Sequence, residues 1–488
     1  MANYRSPGVY VEEISTLPPS IAEVESAVPA FVGYTSIATN LVTDDLAKVP
    51  TPINSMSDYV QFFGGPDVED PTHITIDVDE KQSGGKTTGY SAVITLDSAH
   101  MSPHILYHAV KHYFANGGTR CYITSVGKYT NSIALTDLEG GFDAVGAIDG
   151  PTILLCPEAI HLDADPTTPT NLGAINQYMA SQAATLGDRF AVLDTARPTV
   201  PKTSASISTD LNNTINNINA TGAAPFALQY AAVYYPHLET VYNYAFTFDN
   251  LTIHNYTVNG ATPAPNPRAG ATMLSLKTTA STLYNYILGQ YQNVHISLPP
   301  SAAMAGVYCG IDKKIGVWKA PANVSLTDVV KANVTVARID QDLMNVNDQT
   351  GKSVNAILNT HGFGTVVMGA RTLDGNDNEW RYINVRRFFI TVEQSIKNST
   401  GMFVFEPNTS ATWVKVQAMI ENYLFMKWRD GALAGAKPEQ AYFVNIGLGS
   451  TMTSVDILEG RLIIQIGMAV ARPAEFIIMQ FEQMLQTS

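Results

Sequence analysis

Residues 6–19 read SPGVYVEEISTLPP, a short strand-like run, Val9-Tyr10-Val11, fenced by Pro7 on one side and Pro18-Pro19 on the other. A strand this short is unstable in water, because its backbone N–H and C=O groups need partners. No turn follows that would fold it into a hairpin; prolines do. The far end repeats the arrangement. Pro473 precedes Phe476-Ile477-Ile478-Met479, which is again apolar and again lacks a local partner. Natural proteins blunt or cover open sheet edges, so two unblunted strand segments point to pairing with other copies of the chain through main-chain hydrogen bonds. Val9, Tyr10 and Val11 are the candidate N-terminal donated strand. Phe476, Ile477, Ile478 and Met479 are the candidate C-terminal one. Head-to-tail linkage of this kind does not close on itself like a two-fold dimer; it builds rings or helical arrays.

Composition supports a chain whose surface is largely covered. It has 488 residues, 45% of them hydrophobic and only 15% charged, enough apolar content for a sizeable core and few charges for a free enzyme. The net charge of −14 makes nucleic acid a poor partner. From Thr360 onward 11 Lys and Arg face 12 Asp and Glu, so nearly all of the negative charge lies earlier. That contrast predicts an acidic, solvated first three-quarters and a neutral, packed or interfacial last quarter. Cys121, Cys156 and Cys309 are widely spaced in apolar contexts and read as reduced core residues. No secretory leader and no apolar run long enough to cross a bilayer is visible, so no direct membrane insertion is expected and Asn-X-Ser/Thr triplets such as that at Asn250 read as chance matches.

Along the chain, AVPAFVGYT, CYITSV, PTILLCP, DRFAVLDT and part of APFALQYAAVYYPHL read as buried strands. NSMSDYVQFFGG, PHILYHAVKHYFANGG (with Pro103 in its first turn) and NLGAINQYMASQAATLG read as helices between them. This alternation predicts an α/β unit. ITIDVD and YSAVITL read as exposed β-structure. LPPSAAMAGVYCGIDKKIGVWKAPANV, dense in Pro, Gly and small residues, reads as ordered but irregular. In the last quarter WRYINVRRFFITVEQSI and ATWVKVQAMIENYLFMKWRDGAL are amphipathic helices. GMFVFEPN, AYFVNIG, GRLIIQIGMAV and RPAEFIIMQF read as strands.

The chain offers no convincing chemistry. SGGKTTG at 83–89 would need glycine at position 80 to be a phosphate loop; Glu80 stands there, and a hairpin tip fits better. His100, His104, His108 and His112 fall four apart and raise the question of a metal. No acidic ligand follows in the pattern a metalloprotease needs, and partly exposed polar-face histidines are the expectation. LDGNDNEW at 373–380 resembles a Ca²⁺ loop in composition alone and reads as a turn. No nucleophile elbow, kinase signature or dinucleotide glycine pattern is present. No enzyme, metal site or cofactor is expected.

Several of these segments, in this order, carry a resemblance: SPGVYVEEI, FANGGTRCYI, AAVYYPHL, PPSAAMAGVYCGIDKKIGVWKAPAN, GARTLDGNDNEWRYINVRRFFITVEQSI, FVFEPN, WRDGALAGAKPEQAYFV and RPAEFIIMQF. Together they resemble the contractile tail sheath proteins of phages and phage-tail-like injection particles. Two departures stand out: Ala302 where the family often has Gly after Pro-Pro-Ser, and NIGLGSTMT where it often has a charged or Cys-containing segment.

The resemblance implies an α/β and α+β multidomain fold. Its inner C-terminal α+β sheath domain would be completed by β-augmentation between subunits, and its outer α/β domain would bear β-rich insertions. Residues 1–25 would be a linking arm, 26–297 the outer domain with insertions near 66–100 and 200–295, 298–360 a connecting segment, 361–472 the inner domain and 473–488 the second arm. It also implies a structural subunit, assembled in the bacterial cytoplasm, in six-fold rings stacked helically around an inner tube, with baseplate and tail-terminator proteins as further partners. Contraction would drive the tube through a target envelope. A helix of the inner domain would touch the tube; Lys415, Asn422 and Arg429, seven apart on the polar face of the second amphipathic helix, are the candidates. A static surface-layer or shell lattice is the alternative use of such arms.

Overall fold

The computed structural model describes residues 20–97, 100–198, 204–219, 225–347, 350–476 and 478. They divide into two compact units: residues 25–390 with the described residues from 472 on, and residues 20–24 with 391–471. The larger is built on a nine-stranded sheet in the order Val324–Ser325, Gly364–Val367, Asn355–Thr360, Ala231–Tyr235, Phe190–Asp194, Ile153–Leu155, Pro29–Thr35, Cys121–Lys128, Thr51–Ile53. The six strands from Asn355–Thr360 to Cys121–Lys128 run parallel, and antiparallel pairs close both ends. Its outermost strands are two and three residues long, which blunts both edges.

Parallel sheets are covered on both faces, and the strand sequences show why here. Every residue of Pro29–Thr35 is buried; Ala30, Val32 and Tyr34 enter one core, Phe31 the other. Helices Leu135–Gly146 and Thr170–Leu186 supply the first core, and Leu106–Ala115 and Ser301–Lys314 the second. Cys121, Cys156 and Cys309 are buried and unbridged, as the sequence suggests. The hairpin Asn355–Thr360/Gly364–Val367 spans residue 360, so the boundary drawn there from the sequence falls inside one antiparallel ladder.

Strands Ile74–Ser83 and Lys86–Leu96 form a hairpin that Ile253–Val258 joins, with a small core of its own over helices Met273–Thr279 and Ser281–Tyr291. SGGKTTG is its tip: Gly84 and Gly85 both have positive φ, the backbone a tight two-residue hairpin turn needs.

Two expectations are corrected. The segment expected to be irregular after Leu298 contains the helix Ser301–Lys314, which is nearly all buried. Small residues here serve close packing rather than flexibility. A Cβ on Gly306 would come within 2.5 Å of Tyr113 O, so only glycine lets this helix lie against Leu106–Ala115. Asp194 holds its start, accepting from Ser301 N at 3.0 Å and Ser301 Oγ at 2.5 Å. The histidines are corrected too. The helix begins at Leu106, three residues past Pro103, and His104, His108 and His112 are buried, not at a solvent face. His108 and His112 turn toward strand Leu238–Asn243, where Tyr242 stacks on His108 and meets His112 edge-on, while His104 packs between the rings of Tyr34 and Tyr129. Among the described residues no His, Cys, Asp or Glu group is arranged to hold a metal ion.

Burial pulls the imidazoles of His108 and His112 from an ordinary 6.5 down to about 4. Between those values the unfolded chain takes up protons that the folded chain refuses, so each histidine erodes stability as pH falls through this window and has no effect above it. His112 Nε2 lies 3.1 Å from Thr327 O, a bond a glutamine amide can replace. His112→Gln should therefore flatten the dependence of unfolding free energy on pH between 6.5 and 4 by about 1.4 kcal/mol per pH unit. Urea denaturation at pH 7, 6, 5 and 4 checks this; identical slopes in the two proteins would contradict it.

Candidate assembly surfaces

The smaller unit is where the sequence places its contacts with other molecules. Its long helix, Ser410–Arg429, is amphipathic as expected: Val416, Ile420, Tyr423 and Leu424 are buried, and half-buried Trp413 donates its Nε1–H to Asn408 Oδ1 at 2.7 Å. Lys415, Asn422 and Arg429 are all exposed, so the helix does bring them to one side. Two residues the polarity argument passed over lie exposed on the same helix, Val414 at 66% and Phe425 at 40%. The surface is therefore mixed, with apolar area beside the cations; in the sequence Val414 adjoins Lys415, whereas Phe425 stands between Leu424 and Met426 and reads as part of the apolar side.

Strands Tyr442–Asn445 and Gln465–Met468 pair antiparallel, with Tyr442 opposite Met468 and Asn445 opposite Gln465. Gly467 sits opposite Phe443, whose ring occupies the space a side chain there would need. Among the described residues no further strand joins either side. A two-stranded sheet of four residues each is marginal by itself. In contrast to the blunted sheet of the larger unit, it is left open.

GMFVFEPN, expected as a strand, is not one. Gly401–Phe403 is a single 3₁₀ turn, and Val404 and Phe405 follow it exposed and unladdered. Phe405 has φ +71°, in the left-handed region that bulky side chains avoid, which takes the run out of extended geometry. With Phe403, Val416, Leu462 and Ile464 these residues line a groove of about 640 Å³.

Of the proposed donated strands, Val9, Tyr10, Val11, Ile477 and Met479 lie outside the described residues. Phe476 and Ile478 are 72% and 83% exposed, and residues 472–476 pair with none of the described strands.

Comparison with known proteins now bears on these surfaces. The model of the family described as phage tail sheath C-terminal domain matches residues 375–484, a span that takes in both helices and the hairpin. The structure is similar to the sheath of an extracellular contractile injection system, the PVC sheath complex in its contracted state. The TM-score is 0.62 and the identity 30%, over 99% of each chain. The chain belongs to the contractile tail sheath family. Similar again is the helical sheath of the anti-feeding prophage in its contracted state, with a TM-score of 0.61 and 30% identity over 98% of this chain and 99% of that one. A chain of the six-fold symmetrised baseplate of the same particle gives 0.60 and 30% over 99% and 100%. No curated protein matches the sequence. As a sheath subunit the protein is a structural component of a contractile, phage-tail-like particle. Among the described residues no helix is long and apolar enough to cross a membrane.

Because Phe405 is fully exposed at positive φ, Phe405→Asn removes backbone strain and sacrifices no packing. It should raise the unfolding free energy of the chain by about 1 kcal/mol, since asparagine tolerates the left-handed region. A lower stability in thermal or urea unfolding would contradict this.

Proposed function

We propose that the chain assembles as stacked six-membered rings around an inner tube, each copy donating its two terminal segments as strands to the smaller units of other copies. The observation that carries this reading is the hairpin Tyr442–Asn445/Gln465–Met468, which no further described strand joins, in a chain whose sequence places a strand-like run without a local hairpin partner near each end. Val9–Val11 and Phe476–Met479 would extend that hairpin by main-chain hydrogen bonds. The likeness to a contracted helical sheath and to a six-fold baseplate supports it.

In this arrangement the smaller unit, residues 20–24 with 391–471, forms the inner domain and the larger unit the outer one, with the hairpin Ile74–Ser83/Lys86–Leu96 decorating the outside. Because Ala231–Tyr235 and Asn355–Thr360 lie in the large sheet and Ser301–Lys314 in its core, 200–295 is not an insertion throughout, 298–360 is more than a connector, and the inner domain begins later than residue 361. Baseplate and tail-terminator proteins are the partners at the two ends, and assembly takes place in the bacterial cytoplasm. The role is mechanical and not catalytic. The extended sheath is a metastable state whose subunits turn as rigid bodies into better interfaces when triggered, while the strand links persist. The tube partner meets Lys415, Asn422 and Arg429 on the exposed side of Ser410–Arg429.

Expressed alone, the chain should form tubes in the contracted state, the lower free-energy form without an inner tube. Deleting residues 1–15 should leave short rings or monomers in negative-stain images. Long tubes from the truncated chain, or flat sheets from the intact one, would count against the reading. The double reversal Lys415→Glu/Arg429→Glu should weaken co-assembly with the tube protein at least tenfold and leave tube-free assembly unchanged. Unaltered co-assembly would remove the helix from the tube contact.

A further inference from the structure

The described ends of the chain are each held by an ion pair with a buried cation. In the larger unit the Arg371 guanidinium, 6% exposed, grips Glu475 with two near-parallel bonds, Nε to Oε1 at 2.9 Å and Nη2 to Oε2 at 2.5 Å. Its remaining nitrogen donates to Gly375 O at 3.2 Å. The Arg371 backbone is itself locked to Asn355, whose side chain bonds both its N–H and its C=O at 2.8 Å. Glu475 directly precedes Phe476, where the exposed apolar run begins. In the smaller unit Lys427, 9% exposed and over the Tyr423 ring, holds Glu23 at 2.5 Å. One residue on, Val24 N–H donates to Ser395 Oγ at 3.1 Å, and buried Ile21 lies just before.

We propose that these two pairs, Glu475 in the Arg371 fork and Glu23 on the Lys427 ammonium, are anchors that fix the root of each donated strand. The inference rests on the strand-donation reading and adds residues to it. Chain ends fray unless tied down. A strand held by a second copy returns tension to its root, and a frayed root would peel away from its unit and lose the direction in which the strand leaves. An exposed ion pair would resist this little. A buried, forked cation resists more, because its two bonds are charge-assisted and pulling the carboxylate away leaves the charge buried without its partner. Lysine cannot copy the fork. The anchors serve assembly, with a second copy of this chain as the partner.

The test compares tube formation by the full-length chain, Glu475→Gln, Glu23→Gln, Arg371→Lys and a truncation lacking residues 476–488, which removes the whole C-terminal donated strand. The readout is the protein concentration at which tubes appear, with the melting temperature of the unassembled chain as the folding control. Both Gln variants should melt below the parent, because each leaves a buried cation without its partner, yet stay folded at the assay temperature and need about tenfold more protein to form tubes; Arg371→Lys, which keeps the buried charge, should also raise the threshold. Independently, hydrogen exchange at residues 472–476 of the unassembled chain should accelerate in Glu475→Gln. If the truncation raises the threshold and the Gln variants do not, the anchors are overturned and strand donation stands. If the truncation changes nothing, strand donation is overturned and the anchors with it.

Discussion

Backbone hydrogen bonds at a sheet edge have to go somewhere, and the two units of this protein meet that requirement in opposite ways. The large sheet tapers to edge strands of two and three residues, leaving little backbone for another chain to pair with. Among the described residues the hairpin Tyr442–Asn445/Gln465–Met468 stops at two strands. A subunit that must be joined to its neighbours through movement needs connections that do not depend on which side-chain surfaces happen to be in contact. Under the proposed strand donation main-chain pairing would supply them, since it is indifferent to how the rest of the surface slides.

The remainder of the structure suits a body that moves without deforming. The parallel sheet is buried on both faces, and its two cores interleave along single strands, Ala30 and Val32 to one side and Phe31 to the other. Interiors packed like this transmit displacement instead of absorbing it. Polar groups inside are tied in: Asp194 to the start of Ser301–Lys314, and Arg387 to Asp312 at 2.6 Å. The low charged fraction read from the sequence fits a surface that spends its working life against other copies.

Much of this was legible in the residues. Continuous apolar runs such as PAFVGYT and FAVLD became fully buried strands, because in a doubly covered sheet both side-chain directions are apolar and no alternation is needed. Val416, Ile420, Tyr423 and Leu424 marked the buried side of their helix and thereby its exposed one. What could not be read follows from features that single-residue preferences misrepresent. Gly306 and its small neighbours look like loop but allow helix-to-helix contact at backbone distance. His108 and His112 look like a wet face until Tyr242, 130 residues further on, covers them. FVF has strand chemistry, yet a positive φ at Phe405 turns it out of line. Arg371 and Glu475 are 104 residues apart, and no periodicity connects them.

The account stands on terminal segments of one copy lying in the sheet of another. A cryo-EM map of the assembled sheath, traced through residues 7–14 and 475–481, measures this directly. Strand density from two other protomers should flank the hairpin Tyr442–Asn445/Gln465–Met468, with backbone N–H to O distances near 2.9 Å on both of its edges. Terminal segments folded onto their own protomer, with that hairpin still two-stranded in the assembly, would contradict it.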